Sequence, residues 1–227
     1  MKLREALALA IGGDLAHLAE AAMQLSSLGL RAELGGGVMW GPVRLLGKGN
    51  NGVVVLCRSA YGDVYACKIR RGDAQRPHLL DEARHLQMAN RAGVGPRLYA
   101  YTRDVLVMEY VEGVPIAEWW RAAGVEERAG LVADLLRQAR ALDLAGISHG
   151  ELSRPGRHVL VVRGGRAVIL DFESARLGKA QNVTQVANLL RALGLSPPLE
   201  ALRRYADRRD DRSFDELLSS FLGQLKR

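Results

Sequence analysis

The sequence predicts an α+β chain of two lobes, an antiparallel sheet carrying one helix followed by a reduced, mainly helical half. Three observations predict it. From residue 42 the apolar pattern is strand-like, in runs at 43–46, 52–58, 64–70, 97–101 and 105–110. One helical stretch, 78–91, interrupts these runs. Beyond residue 111 the period becomes helical at 116–123, 126–145, 182–193, 198–205 and 214–225, broken by a short hairpin over 158–162 and 167–170. The expected division is an N-terminal helical arm at 1–40, a sheet lobe at 41–110 and a helical lobe at 111–227. No internal repeat and no low-complexity segment appears.

In the arm, 3–10 and 14–29 read as helices. Leu15, Leu18, Ala19, Ala22, Met23 and Leu25 recur at helical spacing, and Gly29 gives a stop. Gly35, Gly36 and Gly37 then break the pattern. The arm is expected to pack on the back of the sheet lobe, with an independent helical module as the alternative. In the sheet lobe, 59–63 (SAYGD) is a turn signal, and Thr102, Arg103 and Asp104 turn the last hairpin. Leu80, Ala83 and Leu86 mark one side of its helix. The segment MEYVEGVP, 108–115, reads as the linker between lobes. Leu131, Leu135, Ala139 and Leu142 stripe the long helix that follows, and Phe214, Leu217, Leu218 and Phe221 stripe the last one. The mixed-charge run 203–212 reads as a solvated helix surface.

At 227 residues the chain is long enough to bury a substantial core, and 48% hydrophobic with 25% charged residues is ordinary for a globular protein. The net charge of +7 favours anionic partners and serves solubility equally well. No run of 18 apolar residues exists, so no membrane-spanning helix is expected. Gly12, Gly13 and Asp14 interrupt the first apolar run, which argues against a signal peptide. A cytoplasmic location is therefore expected. The two cysteines, Cys57 and Cys67, lack zinc-binding spacing. They fall on one hairpin, where a disulfide is conceivable, but two reduced core thiols are expected in a cytosolic protein.

The residues that carry chemistry fall into four groups. GKGNNGVV, 47–54, places Gly47, Gly49 and Gly52 around Lys48, Asn50 and Asn51, and glycines let a backbone approach phosphate oxygens. A β-branched run beginning at Val53 follows, so this is a glycine-rich hairpin rather than a strand-to-helix turn. Lys68 is a lone lysine on an apolar strand, and a buried ammonium needs a partner. Glu82 on the following helix is the candidate. Asp81 would point about 100° away, so only one of the two can face Lys68. HGELSRPGRHVL, 149–160, and LDFE, 170–173, supply Glu151 and Asp171 after short apolar segments.

This order resembles the protein-kinase-like fold, over roughly residues 42–195. The lack of a long activation segment looks like the small atypical kinases of archaea: the RIO group, the kinase subunit of the KEOPS complex, lipopolysaccharide-kinase-like proteins and small archaeal predicted serine/threonine kinases. The resemblance implies an ATP-dependent phosphotransferase, most simply an atypical serine/threonine protein kinase. Gly47, Lys48, Gly49, Asn50, Gly52 and Val53 would cover the phosphates. Lys68, braced by Glu82, would position them, and Met108, Glu109 and Val111 would border the adenine. Asp171 would hold Mg²⁺ or Mn²⁺, and Glu151 would orient the acceptor hydroxyl with Arg154 beside it.

The chain departs from the kinase pattern at three places. Glu151 replaces an aspartate. Gly156 stands where asparagine is expected, with His158 in that place if two residues are inserted. Glu173 replaces the glycine after Phe172, where it could add a carboxylate near the metal. Asn182 is a plausible N-cap for the next helix. Besides ATP, a protein substrate is the expected partner, with RNA or a ribosomal particle by analogy alone and no membrane. Two other readings stay open: an ATP-binding pseudokinase or scaffold, and a small-molecule kinase of the aminoglycoside type.

Overall fold

The computed structural model describes residues 8, 10–12, 15–41, 43–154 and 158–226. Most of the first expected helix, at 3–10, lies outside the described residues. The chain divides into two compact units, residues 1–87 with 96–110, and residues 88–95 with 111–227.

The first unit is an antiparallel sheet covered on both faces. After helix α1 (Leu15–Ser27) come β1 (Leu30–Glu33), β2 (Val38–Trp40), β3 (Val43–Leu45), β4 (Gly47–Lys48), β5 (Gly52–Ser59) and β6 (Val64–Arg70). Helix α2 (Leu80–Arg91), β7 (Leu98–Tyr101) and β8 (Val105–Glu109) follow. The main sheet runs β1-β5-β6-β8-β7, and β4 pairs with β5 beside β1. Strand alternation decides the two faces. Val53, Val55, Cys57, Cys67, Ile69, Val105 and Val107 share one core with Ala21 and Leu25 of α1. On the opposite face Leu106 packs with Leu79 and with Ala83 of α2.

Three expectations are corrected here. Residues 30–33 are a strand, not part of a helical arm. Gly29, at φ +70°, ends α1, and the next four residues pair with Leu56–Ser59 of β5. Val43–Leu45 belongs to a separate two-stranded ribbon with Val38–Trp40, not to the main sheet. Cys57 and Cys67, expected as reduced thiols, are joined as a disulfide with a Cα–Cα separation of 6.0 Å. Cys57 stands opposite Tyr65 and Cys67 opposite Val55, so the two are diagonal neighbours on one face, within disulfide reach.

Helix α1 is tied to the sheet by polar contacts. His17 Nε2 lies 2.7 Å from the Arg70 carbonyl, and Gln24 donates to Asp104 at 3.0 Å. Asp104 in turn pairs with Arg70.

The second unit contains β9 (Gly113–Pro115), α3 (Ile116–Ala122), α4 (Val125–Leu144) and β10 (Ile147–Ser148). It continues through β11 (Val159–Val162), β12 (Ala167–Ile169), β13 (Arg176–Leu177), α5 (Asn182–Ala192), α6 (Leu199–Arg208) and α7 (Asp211–Leu225). The expected hairpin is present as β11 and β12, with β9 as a third strand where a linker was expected. Leu131, Leu135, Leu136, Ala139 and Leu142 line the buried side of α4. Asp134 accepts from the Ala167 amide at 2.8 Å, and Gln138 donates to the Ala167 carbonyl at 2.8 Å, fixing the hairpin to α4.

Candidate active site

In the first unit, the sheet register places Lys68 between Val54 and Leu106, on the face that α2 covers. A lysine there leaves water, and Glu82 meets it at 2.8 Å. Both are nearly excluded from solvent, at 5% and 4% exposed. Asp81 points outward and sits 3.8 Å from Arg84 on the surface. The helix turn thus separates the two carboxylates as their spacing requires.

Gly47 and Lys48 pair with Val54 and Val53, and the Gly49 amide donates to the Gly52 carbonyl at 2.8 Å, closing the glycine-rich hairpin at Asn50 and Asn51. A Cβ at Gly52 would stand 3.0 Å from Lys68 Cε and 3.1 Å from the Ile69 carbonyl oxygen. The third glycine of the motif is therefore a packing requirement of Lys68 as much as a backbone one. Lys48 lies over the Trp40 ring. Met108 packs against the cluster of Leu79, Ala83 and Leu106. The Glu109 amide donates to the Arg97 carbonyl at 2.8 Å, and its carboxylate accepts from the Arg97 amide at 3.1 Å. Val111 falls in the second unit and is half-buried.

In the second unit, the β11–β12 register sets Val159 opposite Ile169, and the Leu170 amide donates to the His158 carbonyl at 2.8 Å. His158 and Asp171 therefore flank the base of one hairpin. Asp171 adopts φ +66°, one of two positive-φ residues other than glycine among the described residues. That conformation costs an aspartate on the order of 1 kcal/mol and concentrates at functional sites. His149 donates from Nε2 to the Leu170 carbonyl at 2.8 Å and stacks edge-on against the buried Phe172, 5.0 Å between centroids. Burial lowers its pKa from 6.5 to about 4, so the ring is neutral near pH 7.

Gly150, at φ +89°, lets the chain pass Ser174, whose carbonyl oxygen would be 3.0 Å from a Cβ. Glu151 follows, 3.6 Å from Arg154 Nη1 and, through its other oxygen, 3.6 Å from His158 Nε2. Gly156 lies outside the described residues. The structure thus brings Lys68 to Glu82 in one unit, and Glu151, Arg154, His158 and Asp171 together in the other.

Sequence reasoning missed the buried support of this second group. Asp143, at the end of α4, accepts from the Asn182 amide at 2.6 Å, Asn182 Nδ2 at 2.8 Å, the Val183 amide at 3.3 Å and the Tyr205 hydroxyl at 3.3 Å. Asp143 is therefore the cap of α5, and the expected N-cap role of Asn182 is corrected. Asn182 is the first helical residue, after Gln181, and its side-chain oxygen accepts from the His149 amide at 2.9 Å. Burial and the neighbouring Asp143 push the Tyr205 hydroxyl well above its ordinary pKa. The only sequence signal was an aspartate on the apolar side of α4.

Comparison with known proteins adds two findings. The family model described as RIO domain matches residues 64–183, more than half of the 227-residue chain. The matched span contains Lys68, Glu82, Glu151, His158 and Asp171. The chain is also 31% identical over 102 residues to the protein named KEOPS complex subunit Bud32 from Pyrococcus abyssi (strain GE5 / Orsay). That similarity takes in 43% of this chain and 44% of the relative, less than half of either.

Proposed function

The chain belongs to the RIO domain family of atypical kinases, and on that footing we propose that it transfers the γ-phosphoryl group of ATP to a hydroxyl, as a serine/threonine protein kinase. The observation that carries the reading is the buried Lys68–Glu82 pair, 2.8 Å apart. A buried ion pair is weak support for stability, because apolar residues of the same volume do as well. An ammonium kept there is better explained by an anionic ligand.

In this reading the amides of the glycine-rich hairpin and Lys68 receive the phosphates, while Glu82 holds the lysine in one rotamer. Asp171 fits a divalent ion. It is a carboxylate 35% exposed, at φ +66°, with His158 at its side. Such an ion, Mg²⁺ or Mn²⁺, would neutralise phosphate charge. Glu151 would accept the hydrogen bond of the acceptor hydroxyl, and Arg154, 3.6 Å from Glu151, would meet transferred negative charge. The named relative is a complex subunit, so assembly with partner proteins belongs to the same reading. RNA rests on the positive net charge and on analogy.

The test is calorimetric titration of ATP, with and without Mg²⁺, into the wild type and Lys68→Met, followed by phosphoryl transfer with Glu151→Gln. Metal-dependent binding that falls at least tenfold in Lys68→Met supports the reading. No binding under any metal condition overturns it in favour of a scaffold.

A further inference from the structure

We propose that His158 is a metal ligand, so that the ion site of the second unit is a mixed nitrogen–oxygen site built by His158 and Asp171 and steadied by Glu151. The inference deepens the phosphotransfer reading and relies on it only for what the ion is used for.

His158 is buried, with the residue 8% and its side chain 10% exposed. Its Nδ1 is buried and makes no hydrogen bond. A buried polar atom left without a hydrogen bond is destabilising, so such an atom asks for an explanation. Nδ1 faces Asp171 Oδ2 at 3.8 Å, and Nε2 faces Glu151 Oε2 at 3.6 Å. Both separations are too long for a hydrogen bond. The first suits two ligands of one ion. Atoms each about 2.1 Å from a common centre lie roughly 3.0 Å apart at a right angle and about 4.2 Å apart when opposite, and 3.8 Å falls between them, at an angle of about 130°. One ligand atom each from Glu151, His158 and Asp171 lies within 4.8 Å of the others.

The two ring nitrogens then divide the work. The unprotonated Nδ1 gives its lone pair to the ion beside Asp171, and Nε2–H is left facing Glu151, which from 3.6 Å must close by a few tenths of an ångström to hydrogen-bond it and hold the tautomer, as carboxylates do for metal-bound histidines. Glu151 keeps its other oxygen, on the Arg154 side, for the acceptor. Hard Mg²⁺ accepts an all-oxygen shell, whereas imidazole favours first-row transition ions. The site should therefore prefer such an ion, Mn²⁺ included, over Mg²⁺ by more than an oxygen-only site would.

The probe is Mn²⁺ itself, added to the ATP-free full chain. Electron spin-echo spectra should show ¹⁴N modulation from a bound imidazole, changing when histidine is ¹⁵N-labelled. His158→Asn, which restores an oxygen ligand, should abolish the modulation and lower the Mn²⁺-over-Mg²⁺ preference about tenfold, and Glu151→Gln should weaken Mn²⁺ binding by about tenfold while keeping the ¹⁴N signal. Bound Mn²⁺ without nitrogen modulation in the wild type overturns the inference, as does no Mn²⁺ binding without ATP, and neither result depends on any variant folding. ATP binding measured on the same sample separates the two proposals. ATP bound without the nitrogen signal leaves phosphotransfer standing and removes His158, and the reverse removes phosphotransfer alone.

Discussion

Replacing Asp143 with alanine removes the acceptor of four hydrogen bonds at once. Two come from the amides of Asn182 and Val183, which as first-turn donors of α5 have no carbonyl within their own helix. The others come from Asn182 Nδ2 and the Tyr205 hydroxyl. Asp143 is 4% exposed, so water does not simply take its place. Loss of the cap costs about 1 kcal/mol, and each buried neutral donor left without an acceptor costs about 1 kcal/mol or more. We expect a loss of about 4 kcal/mol, a large fraction of the roughly 5–15 kcal/mol that holds a domain folded. The assay is urea unfolding followed by tryptophan fluorescence in a Trp40→Phe background, where the remaining Trp119 and Trp120 both report on the second unit. Tyr205→Phe alone should lose about 1 kcal/mol, and the double variant should fall short of the sum by about 0.5 kcal/mol or more, because the two share a partner. A loss below about 1.5 kcal/mol for Asp143→Ala, or strict additivity, would refute the network account.

Two further predictions follow from the site. His149 has a folded pKa of about 4 against 6.5, so the unfolded chain binds more protons between those values. Its stabilisation is complete above about pH 6.5 and falls as the pH drops toward 4. At pH 5 the loss is about 2 kcal/mol, and His149→Gln should flatten that part of the pH profile of urea stability. Gly52→Ala should weaken ATP binding by about tenfold or more, because its Cβ presses on Lys68 and the Ile69 carbonyl. Gly47→Ala meets only Val54 at 3.6 Å and should weaken it less, and calorimetry giving equal losses would remove the packing argument.

What was legible in the sequence was local or periodic. The runs that became β5, β6 and β8 are short, apolar and rich in valine, and Lys68 stood out because it is the one lysine in such a run. Glu82 was separable from Asp81 by helical angle alone. The contacts that escaped depend on distant partners. Leu30–Glu33 alternates apolar and polar, but over only four residues, and becomes a strand by pairing with Leu56–Ser59. The cysteine pair is diagonal rather than directly opposite, so it follows from a register no composition reveals. Asn182 has the residue type of a cap, yet the cap comes from Asp143, a partner 39 residues earlier in the chain.

Strand β1 also changes how the sheet meets other chains. An uncovered strand edge is a template for association, and β5, with its three consecutive valines, would be a strong one. Its outer edge is shared out, Val53 and Val54 to β4 and Leu56–Ser59 to β1. The new boundary is four residues long and charged, with Glu33 held to Arg58 at 2.9 Å. At the far side β7 is equally short, its register shifts between Leu98 and Ala100, and Arg97 stands just before it, with Arg103 after Thr102 at its other end. A chain trimmed to begin after Glu33 would trade that guarded boundary for the bare backbone of Leu56–Ser59, and its hazard would be pairing with its own copies in solution.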